Sequence, residues 1–138
     1  MKKYVYNNGY KKIENIVIDN LNKENLTLST AESCTGGLIG HRLTEVSGSS
    51  AVYSGGIISY SNKSKIDQLN VNPDNIKTFG AVSEEVAIEM AQNVKEKFNS
   101  SIGVSVTGIA GPNGGSEAKP VGLVLSLIHI WRCRRRSL

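Results

Sequence analysis

Two stretches of this 138-residue sequence carry residue types suited to covalent chemistry. The first is Thr30-Ala-Glu-Ser-Cys-Thr-Gly-Gly37. An alternating run over residues 26–30 reads as a strand, and Ile39, Leu43 and Val46 recur at helical spacing behind the glycines. Ser33 therefore falls at a strand-to-helix junction. A serine there is lifted out of the sheet, and unpaired N–H groups of the following helix can stabilise an oxyanion or a phosphate. Glycine at positions 36 and 37 lets backbone come close. A helix cap with a tight turn uses the same residue types, so the stretch alone leaves nucleophile and cap both open.

A serine nucleophile needs a base. Outside residues 126–138 the only histidine is His41, which stands two helical turns along the following helix on a face that leads away from Ser33. Lys63 and Lys65, just after Tyr60-Ser-Asn62, are the other candidates. One of them can turn inward with Tyr60; two solvated helix lysines are the plain alternative. A lysine base must be neutral at working pH, so desolvation or neighbouring dipoles must lower its pKa from about 10.4.

The second stretch is Thr107-Gly-Ile-Ala-Gly-Pro-Asn-Gly-Gly115. It follows the apolar run 102–107 and can wrap a ligand at the carboxyl end of a sheet, where open α/β folds bind small molecules. No Gly-Lys-Ser/Thr occurs in it and no helix clearly follows, so it is neither a Walker A loop nor a dinucleotide fingerprint. Asp, Glu, His and Cys nowhere cluster at metal-ligand spacing, so neither a metal nor a cofactor is expected.

These residues need a scaffold. Ile13, Ile16, Val17 and Leu21 predict a helix before the first strand. Residues 51–60 predict a strand broken by Gly55-Gly56, and residues 62–69 a brief helix. Pro73 and Gly80 bracket an irregular link. Ser83 caps a helix with Glu84 and Glu85 in its first turn and a buried stripe of Ala87, Met90, Ala91, Val94 and Phe98. A last strand is predicted near residues 121–125. Alternating helices and strands define an α/β chain, expected as a three-layer α/β/α sandwich on a mostly parallel or mixed sheet.

Residues 1–125 read as one domain. Residues 126–138 differ in kind: they show neither helical nor strand logic, hold the only Trp and four of the five arginines, and resemble the translation of a transposon-end adaptor. They are expected to be a non-native tail on a domain cut short at its carboxyl end. The net charge of +4 resides in Arg132, Arg134, Arg135 and Arg136, without which twelve basic residues balance twelve acidic ones. A neutral body argues against a nucleic-acid partner. Two cysteines make no disulfide framework, and no apolar run approaches a membrane span or a signal peptide, so a cytoplasmic setting without membrane contact is expected.

Four blocks in order, Ala31-Glu-Ser-Cys-Thr-Gly-Gly37, Tyr60-Ser-Asn62 with Lys65, Gly80-Ala-Val-Ser-Glu84, and Thr107-Gly-Ile-Ala-Gly-Pro112 with Lys119-Pro-Val-Gly122, resemble the signatures of the CinA C-terminal family. The resemblance spans about residues 13–124. It implies a small-molecule nucleotide substrate, with hydrolysis of the carboxamide of nicotinamide mononucleotide to nicotinic acid mononucleotide and ammonia. By motif position Ser33 would be the nucleophile, Lys65 the base and Tyr60 a hydrogen-bonding partner that orients them. Thr35, Gly36, Ser50, Gly108 and Gly111 would contact substrate. A non-catalytic nucleotide-sensing or partner-binding module of the same fold is the alternative, and a homo-oligomer is left open. The family continues past its Val-Gly strand with another strand and a closing helix carrying basic residues, where this sequence has its odd tail. Tyr4-Val-Tyr6 looks like the segment that joins this domain to an N-terminal nucleotide-hydrolysing domain.

Overall fold

A computed structural model describes residues 9–130. Strands β1 (Leu28–Glu32), β2 (Tyr53–Ile58), β3 (Ile102–Gly108) and β4 (Val124–Ile130) form one sheet in the order β2-β1-β3-β4. β1 lies parallel to both β2 and β3, and β4 runs antiparallel to β3. The sheet is thus mixed. Helices α1 (Ile13–Glu24) and α2 (Leu38–Thr44) cover one face around a cluster of Ile18, Leu21, Leu28, Leu43 and Val52. Helices α3 (Asn62–Leu69), α4 (Pro73–Phe79) and α5 (Glu84–Phe98) cover the other around Ala31, Leu69, Val71, Val86, Met90 and Val94. This is the expected three-layer α/β/α sandwich.

β1 is central and wholly buried, yet it carries Ser29, Thr30 and Glu32. Each polar group finds a partner: Ser29 Oγ lies 2.7 Å from Ser100 Oγ, and Thr30 Oγ1 2.7 Å from Tyr53 Oη. Pairing of this kind removes the penalty of burying a bare hydroxyl, about 1–3 kcal/mol each.

Three expectations about the scaffold need correction. The link between Pro73 and Gly80 is helical: Asn72 caps α4 by accepting from the N–H of Asp74, and Pro73 occupies the first helical position, where its missing N–H costs nothing. On α1 the buried stripe is Glu14, Ile18 and Leu21, while Ile13 is exposed. The last strand begins at Val124, not near Val121, and residues 126–130, expected to lack strand logic, pair with β3 as far as Ile130 opposite Ile102. Alternation explains it: Leu125, Leu127 and His129 turn toward α5 while Val124, Ile128 and Ile130 are about half exposed on the opposite face. Residues 131–138 and the Tyr4-Val-Tyr6 segment lie outside the described residues.

Candidate active site

Ser33 directly follows β1, anchored by its N–H to the carbonyl of Val106 at 2.9 Å. The turn runs through Gly36 and Gly37, both at positive φ (59° and 99°), into α2. Lys65 comes from α3. That helix starts at Ser61, which forms a reciprocal capping box with Ser64; such caps are worth about 1 kcal/mol and fix where the helix begins. The phase so set turns Lys65 inward, where it is only 1 % exposed, and leaves Lys63 in solvent paired with Asp67. Of the two lysines left open by the sequence, Lys65 is the one that meets the serine.

Lys65 Nζ lies 2.9 Å from Ser33 Oγ and donates 2.7 Å to the carbonyl of Ser59. Burial pushes the Lys65 ammonium toward its neutral form, and the neighbouring Cys34 works weakly against that shift. Of the neighbouring dipoles, the positive end of α2 is already satisfied. Glu32, 2 % exposed, accepts from the N–H groups of Gly37 at 3.1 Å, Ile39 at 3.0 Å and Gly40 at 2.8 Å. Gly36 and Leu38 donate to the carbonyls of Ser33 and Thr35. Among the described residues only the backbone N–H groups of Cys34 and Thr35 in this turn have no partner, so the donors left for an oxyanion belong to the turn and not to the helix. Glu32 had no role in the reading of the sequence; a glutamate at the end of a strand, five residues before a glycine that opens a helix, was the available signal.

Ser33, Cys34 and Tyr60 share a cleft of about 330 Å³ with Gly108, Ile109, Ala110, Gly111, Asn113 and Gly114. Small-molecule sites usually span roughly 300–1,000 Å³. Two larger depressions, of about 540 and 460 Å³, are lined by residues such as Leu26, Lys95 and Ser101, or Gln68, Asn93 and Lys97. Neither contains Ser33, and chemistry outweighs size in choosing between them. Gly108 is required for close approach: a Cβ there would stand 2.8 Å from the carbonyl oxygen of Leu123 and 3.1 Å from Cys34 Sγ.

The other expected site residues are placed less uniformly. Tyr60 lines the cleft but is 75 % exposed and hydrogen-bonds neither Ser33 nor Lys65. Thr35 adjoins Ser33, and its hydroxyl is buried without a partner. Ser50 is not brought to the cleft. It sits in the short 3-10 turn Ser49–Ala51 at the amino end of β2, whereas Ser33 leaves the carboxyl end of the parallel strand β1, roughly 13 Å away along the strand direction. His41 is exposed on α2 and faces Glu45 at 3.8 Å. No group of three or more His, Cys, Asp or Glu side chains among the described residues is arranged to hold a metal, and no helix among them is long and apolar enough to cross a membrane.

A serine and a buried lysine meeting beyond the carboxyl end of a parallel strand, under a glycine loop, define a class of α/β domain with a compact polar site. Residues 10–130 match the family model of the CinA C-terminal domain, and the chain belongs to that family. It is 51 % identical over 127 residues to a CinA-like protein of Kosmotoga olearia, covering 92 % of this chain and 31 % of that protein. The chain thus spans about a third of the length of the curated relatives it matches. The solved competence/damage inducible protein CihA of Agrobacterium tumefaciens superposes with a TM-score of 0.83 at 46 % identity, over 85 % of this chain and 71 % of that one. A CinA superfamily protein of Escherichia coli does so with a TM-score of 0.82 at 32 % identity, over 85 % and 68 %.

Proposed function

We propose that the domain hydrolyses the carboxamide of nicotinamide mononucleotide, with Ser33 as nucleophile and Lys65 as general base. The observation that carries this reading is the 2.9 Å contact between a serine hydroxyl and a lysine withdrawn from water, its ammonium form disfavoured by burial. Neutral Lys65 takes the Ser33 proton as Oγ attacks the amide carbon. The tetrahedral oxyanion is held by the N–H groups of Cys34 and Thr35. Lys65 returns the proton to the departing nitrogen, and ammonia leaves an acyl-Ser33 ester. Water, deprotonated by the same amine, then attacks the ester, giving the carboxylate and freeing the serine. Gly108 and Gly111 form the opposite wall, and the exposed ring of Tyr60 suits stacking on a cationic pyridinium.

The test is ammonia release from nicotinamide mononucleotide by the full-length protein. Ser33→Ala should cost several orders of magnitude in kcat/KM, while His41→Ala, altering a solvent-facing helix residue, should leave it within about twofold. Equal activity in the two variants would overturn the serine mechanism. Nucleotide binding without any ammonia release by the parent protein would favour a sensing module.

A further inference from the structure

Glu32 is a buried carboxylate that the proposed reaction does not use. Among the described residues no lysine, arginine or histidine forms an ion pair with it. Its charge is instead met by three backbone N–H groups, those of Gly37, Ile39 and Gly40. The surrounding residues are shaped to admit it. Gly37 needs its positive φ of 99°, and a Cβ on Gly40 would stand 2.6 Å from Tyr53 Oη and 3.6 Å from Glu32 Oε1. The charge is felt on that face, since burial first and Glu32 as a lesser cause push the Tyr53 phenol upward, against the hydrogen bond with Thr30.

The eight N–H groups from Ser33 to Gly40 can be accounted for one by one. Ser33 donates to Val106, Gly36 to Ser33, Leu38 to Thr35, and Gly37, Ile39 and Gly40 to Glu32; Cys34 and Thr35 remain. We infer that Glu32 is a positioning residue: by occupying the first-turn donors of α2 it locks the Ser33–Gly37 turn in the one arrangement that leaves the Cys34 and Thr35 N–H groups for the reacting carbonyl. Two consequences follow from the same three bonds. An anionic intermediate cannot migrate to the helix end, because that end already holds a carboxylate. The nucleophile and its two donors are fixed to one rigid support, β1, from which Ser33 and Glu32 emerge side by side. Electrostatic stabilisation depends on such donors being in place before charge develops.

This inference rests on the serine-lysine reading, and the experiment separates the two. In the full-length protein, Glu32→Gln keeps size but turns an amide NH₂ toward backbone N–H groups, so the turn must shift. Expected is a fall in kcat of about a hundredfold or more, as for loss of an oxyanion donor, with KM changed by less than about threefold. Glu32→Asp, which keeps the charge but cannot span the same three donors, should lie between Gln and the parent. A merely structural carboxylate would instead lower the thermal midpoint and leave kcat per folded molecule unchanged at a temperature well below it. That result overturns the inference while leaving Ser33 and Lys65 untouched. A parent protein that releases no ammonia overturns the reading beneath it. If neither variant folds, amide hydrogen exchange in the parent decides: protection at Gly37, Ile39 and Gly40 with fast exchange at Cys34 and Thr35 upholds the role of Glu32, and the reverse pattern refutes it.

Discussion

The two walls of the cleft are built on opposite principles. The wall that carries Ser33, with Lys65 buried behind it, is polar and held by short contacts from three elements, β1, α3 and the end of β2. The wall formed by residues 109–122 is exposed for most of its length and depends on a few backbone bonds, such as Gly122 to Ile109 at 2.7 Å and Ser116 to Lys119 at 2.8 Å, with Lys119 Nζ tying it to the carbonyl of Phe79. Charge developing in a reaction needs donors and bases that do not reorganise, so chemistry belongs on the first wall. A ligand must enter and leave, which the second wall permits at lower local stability. Changes on the first should therefore act on kcat, and changes on the second on KM.

The strongest challenge to this division is Lys65→Arg. Arginine keeps the charge but cannot shed its proton, so turnover should fall by several orders of magnitude in a folded protein. In the parent, kcat/KM should rise with pH through one ionisation below that of free lysine, because only the neutral amine is a base. The same depressed pKa makes stability depend on pH. Below it, native and unfolded chains both bind the proton and the full cost of burying the ammonium is present; as pH climbs from there toward about 10.4 the unfolded chain binds more protons, and stability rises. Lys65→Met should be inactive, should lack that alkaline gain, and should be no less stable than the parent at neutral pH. Thermal midpoints of both proteins between neutral and alkaline pH measure this. A steeper alkaline gain in the Met variant would contradict the buried-amine account.

On the opposite wall, Gly111→Ala should raise KM about tenfold with kcat within about threefold. Gly111 has φ 87°, and a Cβ there would stand 2.4 Å from Val121 Cγ1, whose residue is 46 % exposed and free to yield. The backbone strain is about 1–2 kcal/mol, enough for a tenfold shift in the population of the binding-competent loop. A collapse of kcat at constant KM would mean that the loop takes part in the chemistry and that the two walls are one.

The smallest effect is expected inside the first wall. Lys65 uses the carbonyl of Ser59, while the Ser59 hydroxyl is buried without a partner. Ser59→Ala removes a group that was never paired, so kcat should change by less than about twofold and stability should hold or improve slightly. A loss of tenfold or more in kcat would show that the hydroxyl takes part.

The legible parts of the molecule were those in which side chains announce themselves. The α5 stripe and its Ser83 cap, the α3 span and the strand-to-helix junction at Ser33 follow from periodicity and capping chemistry. What could not be read depended on tertiary partners. Pro73 is a breaker or a helix start according to what Asn72 does. Glu14 is buried where Ile13 is not because the phase of α1 is set by packing, with Arg42 3.9 Å from its carboxylate. The choice of Lys65 over Lys63 followed in the sequence from resemblance alone; in the structure it follows from the register of a capping box. Ser50 entered through the resemblance alone, and the structure places it in the turn before β2, away from the cleft.

Among the described residues, Lys65 is the single side chain that ties α3 both to the hydroxyl at the end of β1 and to the carbonyl at the end of β2. The site is accordingly absent from any partly folded state in which the sheet is formed and α3 has come away. The eight-residue helix, too short to persist alone, becomes the fuse of the site: its detachment separates Lys65 from Ser33 before the core melts. On mild heating or in dilute denaturant, turnover should vanish ahead of the global signal, and amide exchange along α3 should track the loss.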